Sequence, residues 1–336
     1  MSEKGLKTKI FQIVPEKESL MDCYVILTEG GKLVVIDGGI DGKGKEAAPF
    51  LPSAIRAILG LSEKDPFEID AWFITHKHQD HFYELAKMLD GYDKDPSFKI
   101  KNLYFDFPPV GHGWYSRNGE RDYPQAELFE KLCRGIQKYG EINGISEFTF
   151  EKLNGRFINR ESVEKGLSII VDNCRFEILK TWDMDSELIN STSLVMKMYC
   201  KDHTVLFLGD CHKDSAAKLL KLYGGEYLHS EYVKMAHHGQ NGPDKDFYLG
   251  IGADKSKRFW STPDWVFNIY NHSWLLTDKT RGWLGLPEDP AEFIKKGLDK
   301  KEIDFISCFY PEYPESPDKV SSWTEEIIDN MTVAEF

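Results

Sequence analysis

Several marks of common protein classes are missing from this chain. It has no CxxC pair. Its six cysteines, Cys23, Cys133, Cys174, Cys200, Cys211 and Cys308, are scattered, which in a chain of this length reads as reduced thiols rather than a disulfide framework. The start, Met1 to Lys9, is polar and charged with no apolar segment behind it, so no signal peptide is read there. No run approaches the roughly 20 apolar residues that a membrane helix needs. Together these absences make a soluble cytoplasmic protein, away from membranes, the expectation. An excess of basic charge is also missing. Lys and Arg number 42 against 55 Asp and Glu, a net charge of −13. That disfavours general nucleic-acid binding, because backbone affinity comes from clustered cations. The small group Lys255, Lys257 and Arg258 reads as a solvated loop. There is no linker, low-complexity stretch or close repeat.

What is present is an ordinary globular composition, 41% apolar with 21 Phe, 15 Tyr and 8 Trp among 336 residues, enough for a generous core. The pattern predicts strands over 9–14, 23–28 and 33–36, with Gly30-Gly31 turning the last two into a hairpin. A helix over 47–59, a strand over 69–74, a helix over 82–89 and a strand over 99–105 follow. The segment 107–144 changes character, with a Pro- and Gly-rich loop and an amphipathic helix over 125–139, and reads as an insertion. The second half predicts strands over 167–171, 175–179, 193–198 and 204–208, a helix over 216–223 and a strand over 232–236. One more helix after Pro290, a strand over 303–309 and a polar C-terminal tail, 311–336, complete the chain. Strand runs covered by helices in each half suit two packed sheets with helices outside. The domain expected is a single one over 1–310.

The chemistry is concentrated in Thr75-His76-Lys77-His78-Gln79-Asp80-His81. Imidazole and carboxylate suit borderline divalent metals, zinc first, with manganese or iron as alternatives. On an extended stretch His76 and His78 point the same way and can converge on one ion. Asp80 and His81, at the turn into a helix, can face a second. Asp210 ends the apolar strand Val205-Leu206-Phe207-Leu208-Gly209-Asp210, placed to bridge two metals. The competing reading is a helix N-cap. Val233-Lys234-Met235-Ala236-His237-His238-Gly239 ends a further strand in adjacent histidines. One of them can bind metal while the other faces a substrate as proton or hydrogen-bond donor. His112 on the insertion loop and His272 in Tyr270-Asn271-His272-Ser273 are further candidates to reach the site or line its pocket.

In this order the elements resemble the metallo-β-lactamase superfamily of dinuclear hydrolases. Its HxHxDH motif is matched by His76, His78, Asp80 and His81, and its earlier aspartate by Asp37 in Val35-Ile36-Asp37-Gly38-Gly39. The bridging aspartate is matched by Asp210 and the final histidine by His237. The resemblance implies an α/β fold, a four-layered αβ/βα sandwich, with two divalent ions and an activated water. Asp80 and His238 would serve catalysis, while Asp37 and Thr75 would orient ligand imidazoles. The stretches Asn190-Ser191-Thr192-Ser193-Leu194-Val195 and Ala236-His237-His238-Gly239 look most similar to the soluble hydrolase domain of bacterial DNA-uptake channel proteins, and more broadly to phosphocholine esterases. That likeness implies a phosphoester or other small-molecule substrate, phosphodiesterase-like in type. One departure stands out: the family's further histidine upstream of the bridging aspartate is replaced by Asn190, with Asp183 and Asp185 nearby. The first ion would then have His76, His78 and Asp210, with Asn190, His112 or water in the remaining position. The second would have Asp80, His81, Asp210 and His237. Lactone or thioester hydrolysis with the same ligands, and a non-catalytic metal-binding module, are the alternatives. Oligomeric state is left open.

Overall fold

The structure, a computed structural model, describes residues 6–13, 22–39, 49–93, 96–107, 123–144, 156–157, 161–162, 165–182, 188–239, 242–261, 306–308 and 316–336. His112, His272, Asp183 and Asp185 lie outside these residues, as does the helix expected after Pro290. The chain forms two compact units. The first is Met1–Val163, Asp183–Ile189 and Pro311–Glu335; the second is Glu164–Trp182, Asn190–Tyr310 and Phe336. Each is a sheet with helices, the α/β class that the sequence predicts.

In the first unit β1 (Lys9–Gln12), β2 (Cys23–Leu27) and β3 (Leu33–Asp37) form an antiparallel meander. The Val, Ile and Leu residues of β3 are all buried, as in a central strand. Helix α1 (Leu51–Ile58) follows. The predicted strand over 69–74 is two pieces: β4 (Phe67–Ile69) and β5 (Ala71–Phe73) belong to different sheets. Between them the Asp70 carboxylate accepts the Leu33 N–H at 3.1 Å and the Lys101 ammonium at 2.8 Å. Helix α2 (Gln79–Asp90), β6 (Phe98–Ile100) and β7 (Leu103–Tyr104) come next. In helix α3 (Tyr123–Ile142), Phe129, Leu132, Cys133, Ile136 and Tyr139 recur at helical spacing and are buried. The insertion's helix therefore completes the core of this unit. A small hairpin, β8 (Arg156–Phe157) and β9 (Glu161–Ser162), follows.

The segment read as a polar tail is folded. It carries helix α7 (Glu325–Asn330) and strand β17 (Thr332–Glu335), which pairs with β1 at the sheet edge. The main sheet thus runs β17-β1-β2-β3-β5-β7. Trp323 anchors the segment: its indole N–H donates to Ser53 Oγ at 3.0 Å and to the Pro317 carbonyl at 2.8 Å, and its ring joins the core.

In the second unit β10 (Ser168–Val171), β11 (Cys174–Lys180), β12 (Val195–Cys200) and β13 (His203–Phe207) are antiparallel neighbours. Parallel strands β14 (Tyr232–Lys234), β15 (Arg258–Ser261) and β16 (Ile306–Cys308) extend the same sheet. Helices α4 (Lys213–Tyr223), α5 (Gly225–Leu228) and α6 (Lys245–Gly250) contribute Ala216, Leu219, Leu228, Phe247 and Tyr248 to a core with Leu206 and Val233. The basic group read as a solvated loop is a strand entry. Arg258 opens β15, while the Lys257 N–H donates to the Glu231 carbonyl at 2.7 Å. No helix among the described residues is long and apolar enough to cross a membrane.

Candidate functional site

The first unit's candidate residues gather where β3 and β5 end, since parallel neighbours deliver their C-terminal ends to the same side. Asp37 closes β3 in the left-handed region, at φ 60°, which a short polar side chain tolerates better than most. Its carbonyl accepts the Trp72 indole N–H at 2.9 Å. The next residues dock on the first turn of α2: the Gly38 N–H donates to the His81 carbonyl at 2.6 Å, and the Tyr83 N–H to the Gly39 carbonyl at 3.0 Å. This fixes the buried Asp37 carboxylate beside the motif. It accepts the Thr75 N–H at 2.7 Å and the Thr75 hydroxyl at 2.9 Å, and lies 2.9 Å from His81 Nδ1. Burial pushes the Asp37 carboxyl up from its usual range, against the pull of the His81 ring and the Thr75 N–H.

Thr75 Oγ1 also lies 3.1 Å from His76 Nδ1. With Nδ1 of His76 and of His81 turned to Thr75 and Asp37, each ring presents Nε2 on its other side. His76 Nε2 and His78 Nδ1 approach to 3.0 Å, the convergence that their spacing predicts. His81 Nε2 lies 3.8 Å from Asp80 Oδ2, and the His76 and His81 rings are 4.0 Å apart. Lys77, between the two histidines, points the opposite way. Its ammonium sits 5.8 Å from the Phe129 ring on α3, and burial pushes its pKa down to about 8.

In the second unit Asp210 follows β13 and is buried. The cap position of α4 belongs to His212, so Asp210 is not that helix's N-cap. Its backbone N–H donates to Ser193 Oγ at 3.1 Å. Its Oδ2 lies 3.5 Å from His238 Nε2 and 3.9 Å from His237 Nε2. The expectation made His237 the ligand and His238 the substrate-facing group. Here the nearer ring, His238, is the buried one, whereas the His237 side chain is 21% exposed. His237 Nε2 is also 3.1 Å from the Asn190 amide nitrogen. Both histidines are left-handed, at φ 51° and 53°. Neighbours hold this strained pair: the His237 N–H donates to the Gly209 carbonyl at 3.0 Å, and the Ala236 N–H to Tyr248 Oη at 3.2 Å.

Three buried groups escape sequence reading. Asp22, just before β2, donates its N–H to the Asp80 carbonyl at 3.3 Å, and its carboxylate is within 4.8 Å of a His81 ring nitrogen. The Lys234 ammonium donates to the Gly209 carbonyl at 3.2 Å and lies 4.0 Å from Asp210 Oδ1. The Lys180 ammonium donates to the carbonyls of Ser191 at 2.6 Å and Ser193 at 3.3 Å, pinning the turn that carries Asn190. Each lysine is the last residue of its strand, Lys180 of β11 and Lys234 of β14, next to apolar neighbours, and that was the available signal.

The donor chemistry fits divalent metal. Imidazoles dominate the first unit's set, carboxylates lie within ligand reach of them, and a carboxylate and a hydroxyl stand behind two of the rings, as second partners of metal-binding histidines do.

Residues 21–163, which include the whole His76 to His81 run, match the model of the metallo-beta-lactamase superfamily. Over that stretch, somewhat under half of the chain, the sequence carries the signature of a metallo-beta-lactamase superfamily domain. Among solved structures it is similar to CmlA, a diiron beta-hydroxylase from Streptomyces venezuelae, at 12% identity and TM-score 0.41, over 90% of this chain and 52% of that one. It is also similar to the metallo-beta-lactamase fold protein YhfI from Bacillus subtilis, at 11% identity and TM-score 0.39, over 76% of this chain and 84% of that one. The chain spans about half the length of the hydroxylase. No curated protein matches it.

Proposed function

We propose that the chain is a metal-dependent hydrolase with a dinuclear centre, acting on a small phosphoester, a phosphodiester first. The observation that carries this reading is the aim of the motif imidazoles. His76 and His78 present ring nitrogens 3.0 Å apart, while His81 is turned by Asp37 so that its Nε2 faces Asp80. His76 and His78 would hold one ion and Asp80 and His81 the other, while in the second unit Asp210 and His238 offer a further carboxylate and imidazole. When bound, two divalent cations, zinc first with manganese or iron as alternatives, supply a water of near-neutral pKa and offset charge on the transferred group. Of the adjacent histidines, we assign His238 to metal and His237 to the substrate, which exchanges the roles suggested by sequence. The support is the burial of His238 nearer to Asp210 and the partial exposure of His237 beside Asn190. An exposed imidazole steadied by an amide is suited to holding the proton that a leaving oxygen needs.

The same residues would serve lactone or thioester hydrolysis, and the acidic balance of the chain, −13, favours small substrates over polynucleotides. The test is metal analysis of protein purified without chelator, followed by a panel of phosphodiester, phosphomonoester, lactone and thioester substrates. Phosphodiester turnover that is lost, together with bound metal, in Asp80→Ala and Asp210→Ala is the expected result. Full turnover in both variants would overturn the metal assignment. Metal-loaded protein inert across the panel would leave a binding module.

A further inference from the structure

Among the described residues, and apart from the metal-binding candidates, a pair of thiol side chains is set face to face. Cys174 opens β11, Cys200 closes β12, and the two are direct partners in the antiparallel ladder. Each also flanks a two-residue hairpin turn. Asp172-Asn173 joins β10 to β11 with Val171 opposite Cys174, and Lys201-Asp202 joins β12 to β13 with Cys200 opposite His203. Both turns begin with a left-handed residue, Asp172 at φ 54° and Lys201 at φ 53°, as tight primed turns require.

These turns settle the geometry of the pair. In a two-residue hairpin the flanking residues exchange backbone hydrogen bonds, so Cys174 spends its backbone groups on Val171 and Cys200 spends its own on His203. Along a strand those groups alternate sides, which makes Cys174 and Cys200 a non-hydrogen-bonded pair, with Cα atoms about 4.5 Å apart and side chains on one face. A disulfide spans Cα separations of about 4.4–6.8 Å. A second observation points to the sulphurs. The Asn173 side chain touches both: its amide Nδ2 donates to Cys200 Sγ at 3.3 Å, and the Cys174 thiol donates to its Oδ1 at 3.7 Å.

We propose that Cys174 and Cys200 form a dithiol site that a low-molecular-weight disulfide oxidises reversibly to an intramolecular disulfide. The Cys200 sulphur, which already accepts the amide hydrogen bond, is the attacking thiolate. It displaces one thiolate from the small disulfide and forms a mixed disulfide. The Cys174 thiolate then attacks the Cys200 sulphur and displaces the second. Two protein thiols are oxidised, one small disulfide is reduced to two thiols, and the two protons lost by the cysteines end on those thiols. Both cysteines are thiols and buried in the reduced protein. The turns beside them are exposed at Asp172, Lys201 and Asp202, so fraying of the two hairpin ends is enough for access. The closed bond would span residues 175–199 and hold the segment that carries Asn190 and Ser193.

The experiment uses the full chain, reduced and then exposed to glutathione disulfide, quenched in acid, denatured, alkylated and mapped by peptide mass. The expected result is one linked peptide pair joining Cys174 to Cys200, reversed by dithiothreitol, with a melting temperature raised by about 5 °C or more. Cys174→Ser should instead trap glutathione on Cys200. Alkylation of all six cysteines after the treatment would overturn the proposal, as would a bond mapping to other cysteines. The map of the unsubstituted protein decides this even if the variant does not fold.

Discussion

His81 Nδ1 lies 2.9 Å from Asp37 Oδ2, with both side chains buried. The same carboxylate accepts two hydrogen bonds from Thr75, whose hydroxyl lies beside His76. One group thus steers two candidate ligand rings. Asp37→Asn tests this without disturbing the backbone, because asparagine also tolerates the left-handed region. We expect the variant to fold with an unchanged melting profile and to bind zinc about 10–100-fold more weakly. Competition against a chromophoric chelator measures it. Equal affinity in the two proteins would mean that Asp37 shapes the turn but does not tune the ligands.

Part of this arrangement is legible in the chain and part is not. The convergence of His76 and His78 follows from alternation along an extended stretch, and the Asp37 position follows from a strand that ends before Gly38-Gly39. Both signals are local. Lys180 and Lys234 are different. Each is a buried cation at the end of a strand, and what it holds, the Ser191 and Ser193 carbonyls in one case and Gly209 and Asp210 in the other, comes from elsewhere in the sequence. Asp22 is found through its hydrogen bond to Asp80 and its nearness to the His81 ring, and it lies 58 residues earlier in the chain than Asp80 by their numbers. The C-terminal segment was opaque for a related reason. Its strand is short and its surroundings polar, and only pairing with β1 and the seat of Trp323 beside Ser53 make it structural. The ordering of the adjacent histidines was beyond sequence altogether, since it depends on two left-handed residues in succession.

Glu177 on β11 collects the hydroxyls of Tyr227 and Tyr199 and the guanidinium of Arg175. Burial pushes its carboxyl up, but these donors outweigh burial and hold it below the usual carboxylate range. A folded-state pKa below the unfolded one means that ionised Glu177 contributes stability above about pH 4.5, and that the contribution fades as pH falls through the folded value. Glu177→Gln should therefore lower the melting temperature by about 2–4 °C at neutral pH. The gap to the unsubstituted protein should close on acidification below that point. Thermal melts across an acidic pH series check the sign. A gap that widens in acid would contradict it.

The two adjacent histidines give the sharpest division of roles. His238 is buried with Nε2 3.5 Å from Asp210 Oδ2, while His237 is partly exposed and shares its Nε2 with the Asn190 amide at 3.1 Å. If His238 holds metal, His238→Ala loses a donor. Metal content per chain should then fall, and turnover with it, because the remaining ligands bind a divalent ion less tightly. If His237 manages a proton, His237→Ala should keep its metal. It should lose about 10²–10⁴-fold in kcat, with KM little changed, and lose the limb of the pH–rate profile that reports the imidazole. Asn190→Asp separates this from a packing effect. A carboxylate in place of the amide favours the protonated ring and should move that limb to higher pH without removing it. Metal analysis and pH–rate profiles on the same preparations decide the matter. Loss of metal in His237→Ala with retention in His238→Ala would restore the order that the sequence alone suggests.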